Sequence, residues 1–308
     1  MNNKEMKTGV IYAGASYILW GILPIYWKLL QKVGSDEILA NRVFWSFIFM
    51  VIILLMTKKW QGFVTTLKGL KQNKKQLLAL VLASLLISGN WFIYIWAVNN
   101  DHMIQASLGY YINPLISVLL GMVVLKERLS IAQNVSFILA FVGVLIITIT
   151  YGEFPWIALG LALTFGLYGL AKKLIIVEAA IGLTLETMAV TPIALIYMMI
   201  LFFNGTHAFL SISIGTDLLL IGAGVATAIP LLYFAKGAKL IPLSTLGILQ
   251  YASPTLTLIL GIFLYHEHFS KVHLLSFIFI WAALAIYSLA STKMVSNLES
   301  KWKKQRAS

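Results

Sequence analysis

Of the 11 acidic residues in this chain, only Glu186 lies clearly inside a long apolar segment, whereas the others fall in loops, tails or segment ends. A carboxyl group that is removed from water favours its protonated form. Glu186 is therefore a candidate for binding and releasing a proton in an apolar environment, which would be proton coupling. The alternative is that Glu186 holds two helices together through a hydrogen bond, or through an ion pair with Lys172 or Lys173.

Polar and aromatic residues recur near the middle of other apolar segments, where a polar group usually faces protein or a cavity. Asn90 and Tyr94 are one helical turn apart, so they share one face of a helix. The candidates for binding a solute are Trp20, Arg42, Asn90, Trp91, Tyr94, Tyr110, Tyr111, Asn113, Tyr168, Gln250 and Tyr251. The alternative is that the amides form hydrogen bonds between helices and that the aromatic rings pack.

Arg42 and two aromatic residues in this set allow different interpretations. Arg42 either extends its side chain to the membrane surface or attracts an anionic, carboxylate-bearing solute by charge-assisted pairing. Trp20 and Tyr168 are each followed by a glycine, Gly21 and Gly169. They either stack on a planar or cationic solute or pack where the glycine lets helices approach.

Prolines and tryptophans in the apolar segments indicate hinges and anchors. Pro114 and Pro254 each free a carbonyl group one turn earlier, so both are predicted hinges near the centre of their helices. Trp27 and Trp60 lie near segment ends and are predicted to anchor the chain at the membrane surface.

Other chemistries find little support in the sequence. There is no cysteine, no Gly-rich phosphate-binding loop with a lysine, and no nucleophile elbow. The motif 266–268 (His-Glu-His) resembles a metal site, but it has no third suitable ligand nearby. The sequence therefore predicts no catalytic residue, no metal site and no cofactor, and it argues against ATP-driven transport by this chain alone.

The residues above must be positioned by helices within a membrane. The 308 residues are 60% hydrophobic and 11% charged, whereas soluble domains are nearer half apolar and a quarter charged. About 20 apolar residues are enough to cross the hydrocarbon layer as a helix. Ten such segments are predicted, at 8–28, 36–56, 76–98, 103–125, 131–150, 154–172, 179–203, 216–236, 242–265 and 271–291. The predicted fold class is an all-α polytopic membrane protein.

The net charge of +12 follows the predicted topology. If the N-terminus is cytoplasmic, 19 of the 23 Lys and Arg residues fall on the cytoplasmic side, most densely in 58–75 and the C-terminal tail. Positive residues in short cytoplasmic loops are the usual orienting signal. Both termini are therefore predicted to be cytoplasmic in the inner membrane. The basic segments are expected to contact acidic lipid headgroups rather than nucleic acid.

An internal repeat divides the chain. A shift of 140 residues pairs Tyr111 with Tyr251 and Pro114 with Pro254, and it also pairs Gly121/Gly261, Glu127/Glu267, Ser130/Ser270 and 136–138/276–278. Because five spans separate the paired segments, corresponding helices cross the membrane in opposite directions, as in many alternating-access transporters. The predicted units are a first five-helix repeat (1–150), a second five-helix repeat (151–292) and a basic cytoplasmic tail (293–308).

Several motifs resemble the RarD branch of the EamA transporters across nearly the whole chain. They are Gly89–Asn99 (GNWFIYIWAVN), Gln105–Pro114 (QASLGYYINP), Trp20-Gly21 with Pro24–Lys28, Asp36–Leu39, and Pro242–Gly247 leading to Gln250, Tyr251 and Pro254. The resemblance implies the drug/metabolite transporter superfamily, with ten spans in two five-helix repeats. The family often has histidine where this chain has Asn41, so the resemblance assigns no titrating role there.

The predicted function is that of a secondary transporter, which moves a small organic solute across the inner membrane by alternating access with proton coupling at Glu186. An intramembrane enzyme and a non-transporting membrane interaction protein are the alternatives. The expected partners are the solute and membrane lipids. Two repeats in one chain make a monomer sufficient, and a homodimer is the other expectation.

Overall fold

The computed structural model describes residues 3–70, 72–99, 102–152, 154–264 and 271–290. Regular structure within these ranges is helical, which confirms the predicted all-α class. Twelve helices follow one another: α1 (Asn3–Leu29), α2 (Ser35–Met56), α3 (Trp60–Leu70), α4 (Lys74–Asn99), α5 (Met103–Val123), α6 (Ile131–Tyr151), α7 (Trp156–Leu174), α8 (Ala179–Phe203), α9 (Ile214–Leu240), α10 (Leu243–Leu249), α11 (Ala252–Leu264) and α12 (Lys271–Ala290). The motif 266–268 and the tail 293–308 lie outside the described residues.

Ten stretches among the described residues are long and apolar enough to cross a membrane, which confirms the predicted number of spans. Nine of them are single helices, and the other, Leu243–Leu264, combines α10 and α11. The largest differences from the predicted ends arise where polar residues continue a helix, as at the start of α1 and the end of α9. Hydropathy does not mark such ends, because these residues still form helical hydrogen bonds.

The basic segment between the second and third spans is predicted as a loop but contains a helix, α3. Phe63 and Leu70 are seven residues apart, so they share one face of α3, and both are buried. The ring of Trp60 stacks on Phe63 with the centroids 5.2 Å apart. The apolar face of α3 therefore packs on the helix bundle.

The ninth span is interrupted between α10 and α11. Pro254 has no amide hydrogen and cannot donate to the carbonyl group of Gln250, four residues earlier. Just before the break the backbone tightens, since the Gln250 amide donates to the carbonyl groups of both Leu246 and Gly247. By contrast, α5 continues through Pro114 without interruption. Of the two predicted hinges, Pro254 therefore adjoins a broken helix and Pro114 does not.

Glu127, in the segment after α5, fixes the start of α10. Its carboxylate accepts hydrogen bonds from the amides of Leu243 (2.6 Å) and Ser244 (2.8 Å). A negative charge at this position also complements the helix dipole. The half-helix α10 is thus held at its first turn by a side chain from the other predicted repeat.

The packing of α6 against α12 is consistent with the predicted repeat. Ser136 donates a hydrogen bond to the Ala283 carbonyl at 2.5 Å. In the same interface, a Cβ at Gly143 would lie 2.8 Å from the carbonyl oxygen of Ser276, so only glycine permits this approach. Ser136 and Ser276 are 140 residues apart, as are Gly143 and Ala283, so the two contacts correspond to each other. The opposite orientation of the two halves and the boundary near residue 150 stay predictions.

Candidate functional site

Arg42, on α2, lies inside the bundle, where four other helices contribute to its surroundings. Its Nε donates a hydrogen bond of 2.9 Å to Thr227 Oγ1. The guanidinium carbon lies 4.6 Å from the ring centroid of Trp27 and 5.2 Å from that of Trp91, which is cation–π distance. Two tyrosines are within electrostatic range of the same charge. We call this group the Arg42 box, and its members are Trp27, Arg42, Trp91, Tyr94, Tyr110 and Thr227.

Close packing of α2 on α9 positions Arg42. A Cβ at Gly224 would lie 2.3 Å from the carbonyl carbon of Trp45, so the two backbones meet at this glycine. Ser46 donates a hydrogen bond of 3.0 Å to the Gly224 carbonyl. Arg42 is one helical turn from Ser46, and Thr227 is nearly one turn from Gly224. The same contact between α2 and α9 therefore brings Arg42 and Thr227 within hydrogen-bond distance.

Arg42 forms no ion pair with any carboxylate among the described residues. The two acidic residues on the same helix have other partners: Asp36 accepts a hydrogen bond from the Tyr197 hydroxyl, and Glu37 accepts from the Ala208 amide. The sequence left open whether Arg42 extends to the membrane surface or points inward. In the structure it points inward, towards Thr227. The ring of Trp27 lies against the guanidinium, and its role as a surface anchor stays a prediction.

Glu186 and Lys172 form a buried ion pair between α7 and α8. Lys172 Nζ lies 2.6 Å from Glu186 Oε1, and the two side chains are 3% and 2% exposed. The Tyr168 hydroxyl donates to the other carboxylate oxygen at 3.3 Å. Among the partners considered from the sequence for Glu186, Lys172 is therefore the one in contact. The pair connects helices, and it also places a titratable carboxylate inside the membrane-length part of the bundle.

Trp20 and Tyr168 lie in an aromatic cluster rather than on an open surface. The Tyr168 ring stacks on Phe234, with centroids 5.8 Å apart and planes 11° apart. The ring centroid of Trp20 lies 5.7 Å from those of both Phe165 and Phe234. Tyr168 is fully buried. In this conformation the Tyr168 ring is therefore covered by protein, and Trp20 packs against the same cluster.

A small cavity lies between the Arg42 box and the ion pair. Trp91 lines it on one side, Tyr168 and Glu186 line it on another, and Ser88 also contributes. The volume of about 10 Å³ is enough for roughly one water molecule. The buried hydroxyl of Ser88 has no hydrogen-bond partner. In this conformation the cavity is therefore too small for an organic solute.

Asn90 connects α4 to α7 and occupies both of its amide hydrogens in doing so. Its Nδ2 donates to the Leu161 carbonyl and to Thr164 Oγ1, both at 2.9 Å. The next turn of α4 carries Tyr94, whose ring meets that of Tyr110 edge to face with centroids 6.0 Å apart. Tyr110 is 45% exposed, so part of its surface is accessible from outside the protein.

Tyr111 and Tyr251 belong to a different part of the bundle. The Tyr251 hydroxyl donates to the Tyr111 carbonyl at 3.2 Å, which links the fourth and ninth spans. The Tyr111 ring packs edge to face on Phe277 of α12, with the ring centroids 5.3 Å apart. These two residues, which the sequence grouped with the Arg42 box, thus pack in the cluster formed with α6 and α12.

Asn113 and Gln250 are buried on the same pair of spans, with 4% and 5% of their surfaces exposed. Asn113 Oδ1 and Gln250 Oε1 have no hydrogen-bond partner among the described residues. Buried acceptors of this kind are rare in folded proteins, because leaving one unpaired costs about 1–3 kcal/mol. In this conformation both acceptors are therefore buried and unpaired among the described residues.

Lysines close the predicted cytoplasmic end of the bundle. Lys173 donates to the Ile241 carbonyl at 2.5 Å, and Lys239 donates to the carbonyl of Val177. Lys59 pairs with Glu178 at 2.5 Å on the surface. Residues that the sequence treats as orienting charges thus also join the ends of neighbouring helices. No cluster of three metal-ligating side chains occurs within the described ranges.

Sequence reasoning missed three contributors to this interior. Thr227 and Ser88 are common residues in apolar segments, and no spacing marks them. Phe234 resembles any core aromatic residue until its stacking on Tyr168 is seen. The only available signal was composition, since a hydroxyl inside a span faces protein or a cavity more often than lipid.

Comparisons with known proteins agree with this architecture. The pattern of the EamA-like transporter family matches residues 7–149. The "Uncharacterized transporter YojE" of Bacillus subtilis (strain 168) is 51% identical over 95% of this chain and 97% of its own length. "Protein RarD" of Escherichia coli (strain K12) is 45% identical over 93% of this chain and 96% of its own length.

A solved crystal structure supports the fold. It superposes with a TM-score of 0.69, covers 92% of this chain and 98% of its own, and is 18% identical in sequence. At this level of identity the likeness extends to the arrangement of helices and not to the side chains of the interior.

Proposed function

This chain belongs to the RarD branch of the EamA-like transporter family, and we propose that it is a secondary transporter that moves a small organic solute by alternating access. The named relatives and the ten apolar helices make it a multi-pass membrane protein of a transporter family. The proposal adds the mechanism, an inner-membrane location with both termini in the cytoplasm, and coupling to protons.

The observation that supports transport most directly is the charged interior of an otherwise apolar bundle. Arg42, Lys172 and Glu186 lie within membrane-length helices. A charge at membrane depth costs at least about 2.5–3.5 kcal/mol, and such residues commonly mark solute or ion pathways. The buried acceptors of Asn113 and Gln250 add to this polar interior. A bundle that only had to pack would not need these groups, because uncharged residues of similar volume often replace a buried ion pair without loss of stability.

Alternating access requires an element of the bundle that changes shape. The break between α10 and α11 supplies one, because the backbone beside Pro254 lacks a helical hydrogen bond. Discontinuous helices at the repeat interface are a recurring feature of transporter sites. In the proposed mechanism, movement at this break enlarges the cavity beside Trp91 to admit a solute.

Glu186 is the proposed coupling residue. When a proton binds its carboxylate, Lys172 becomes a buried cation without a counter-charge, which is unfavourable until water reaches it. Proton binding therefore favours the conformation that opens this end of the bundle. When the proton leaves, the ion pair re-forms at 2.6 Å and closes the end again.

Transport by proteoliposomes tests the proposal. A thermal-shift screen of purified protein against metabolites and antibiotics first identifies a solute, because a ligand that binds only the folded state raises its stability. In proteoliposomes, the wild type should move that solute in response to a pH gradient. Glu186→Gln should bind the solute but lose this response.

Glu178→Gln is the matched control. It removes an exposed carboxylate and its ion pair with Lys59 at the same end of the bundle, so its coupling should equal that of the wild type. A Glu186→Gln variant that still follows the gradient would assign Glu186 a purely structural role. Failure of the wild type to move any solute that it binds would contradict transport itself.

A further inference from the structure

We infer that the Arg42 box binds the anionic head group of an organic solute, in the simplest case a carboxylate, while the surrounding aromatic side chains hold its apolar body. The inference rests on the proposed function, because it names the class of solute that the transporter moves. Three features support it: the charge balance of the interior, the donors that Arg42 leaves free, and the shape of the box.

The charge balance of the interior leaves one cation without a counter-charge. Lys172 is neutralised by Glu186 at 2.6 Å. Arg42 has only the neutral hydroxyl of Thr227 and the faces of aromatic rings as partners among the described residues. Arg42 is half-buried, and a charge that is partly withdrawn from water is unfavourable unless it is paired. A bound anion would supply the missing partner.

The free donors of Arg42 match a carboxylate. Thr227 accepts from Nε, so no described hydrogen bond uses the two terminal nitrogens. Guanidinium and carboxylate form two parallel charge-assisted bonds, which makes this pairing both strong and directional. The rings of Trp27 and Trp91 contact the guanidinium and hold its plane. Arg42 is thus oriented before the solute arrives, which lowers the cost of binding.

The shape of the box favours an organic anion over an inorganic one. Tyr94 and Tyr110 form an edge-to-face pair next to the guanidinium, and Trp91 borders the cavity. These rings offer apolar surface for a ring or a short chain. The unpaired Ser88 hydroxyl lies at the same cavity and can bind a polar substituent. One guanidinium matches one negative charge, so the expected solute is a monoanion.

Matched acids and amides test the inference with purified full-length protein in detergent. Benzoate is compared with benzamide, and indole-3-acetate with indole-3-acetamide, since each pair differs mainly in charge. Isothermal titration calorimetry measures binding to the wild type, Arg42→Gln, Arg42→Lys and Lys32→Gln. Lys32 is an exposed basic residue between α1 and α2, so it controls for a general loss of positive charge.

The wild type should bind at least one acid about ten-fold or more tightly than its amide, which is the value of one charge-assisted interaction. Arg42→Gln should lose this preference, and Arg42→Lys should retain part of it, because lysine keeps the charge but not the planar fork. Lys32→Gln should behave like the wild type. Size-exclusion chromatography shows whether Arg42→Gln folds. If it does not, the inference is tested by the acid preference of the wild type and by the reduction of that preference in Arg42→Lys.

Three results would overturn the inference: no acid binds the wild type, an amide binds as tightly as its acid, or Arg42→Gln binds acids unchanged. Competition by chloride at the same concentration as benzoate would also overturn it, since the site would then not select an organic anion. The proposed function is judged separately. If the wild type moves a neutral solute in proteoliposomes but no acid, and Arg42→Gln moves the neutral solute equally fast, the proposed transport function stands. The inference of an anion site at Arg42 then fails.

Discussion

Glu186→Gln should lower the free energy of unfolding by about 3–5 kcal/mol, because it leaves the buried Lys172 ammonium without a counter-charge. The magnitude follows from burial, as a second pair of similar length shows. Lys172 and Glu186 are 2.6 Å apart with side chains 3% and 2% exposed. Lys59 and Glu178 are 2.5 Å apart but 42% and 44% exposed. Glu178→Gln should therefore cost at most about 1 kcal/mol.

The double variant Lys172→Met with Glu186→Gln separates the cost of an unpaired charge from the contribution of the pair. Replacement of a buried ion pair by uncharged residues of similar volume is often neutral or stabilising. The double variant should therefore recover most of the stability that Glu186→Gln loses. The two single variants and the double variant form a thermodynamic cycle, which gives the interaction energy of the pair directly.

The assay is reversible unfolding of the purified protein in mixed micelles with increasing fractions of a denaturing detergent, followed by tryptophan fluorescence. All variants are compared with the wild type at the same pH and protein concentration. Equal small losses for Glu186→Gln and Glu178→Gln would refute the argument from burial. A double variant as unstable as the sum of its single variants would show that packing, and not charge, accounts for the loss.

Two further predictions concern topology and the ninth span. A reporter fused after residue 65 should be cytoplasmic, because the basic residues of 58–75 are expected on that side; an external reporter would overturn the predicted orientation of both halves. Gln250→Leu should keep or raise the midpoint temperature of unfolding, since it removes an unpaired buried acceptor. Transport should fall about ten-fold, which is the value of one hydrogen bond between Gln250 and the solute. Parallel losses of folded protein and transport would instead make Gln250 a packing residue.

The features that depend on local composition were predictable from the sequence. The ten spans follow from hydropathy, and Glu186 stands out as a carboxylate inside a span. Its pairing with Lys172 was one of the alternatives that the sequence left open. By contrast, the helix α3 was missed, because its short apolar face lies within a basic segment that reads as a loop.

The features that depend on helix packing were not predictable. Trp27 near a span end has the position of a surface anchor, and only the packing of both α1 and α2 on α9 brings its ring to Arg42. The candidate residues also separate into different clusters. Tyr111 and Tyr251 pack towards α12, whereas Trp20 and Tyr168 pack around Phe234. Position along a span predicts depth in the membrane, but not which neighbouring helix a side chain meets.

The two proposed sites are physically linked, which gives the coupling a direction. Trp91 contacts the Arg42 guanidinium and also lines the cavity that Glu186 borders. An anion at Arg42 removes one positive charge from this interior, whereas a proton at Glu186 adds one. Charges in a poorly hydrated interior interact over longer distances than in water, so each of these binding events lowers the cost of the other. By linkage, that coupling is reciprocal. In the proposed mechanism the anion and the proton therefore favour the same state and cross the membrane together.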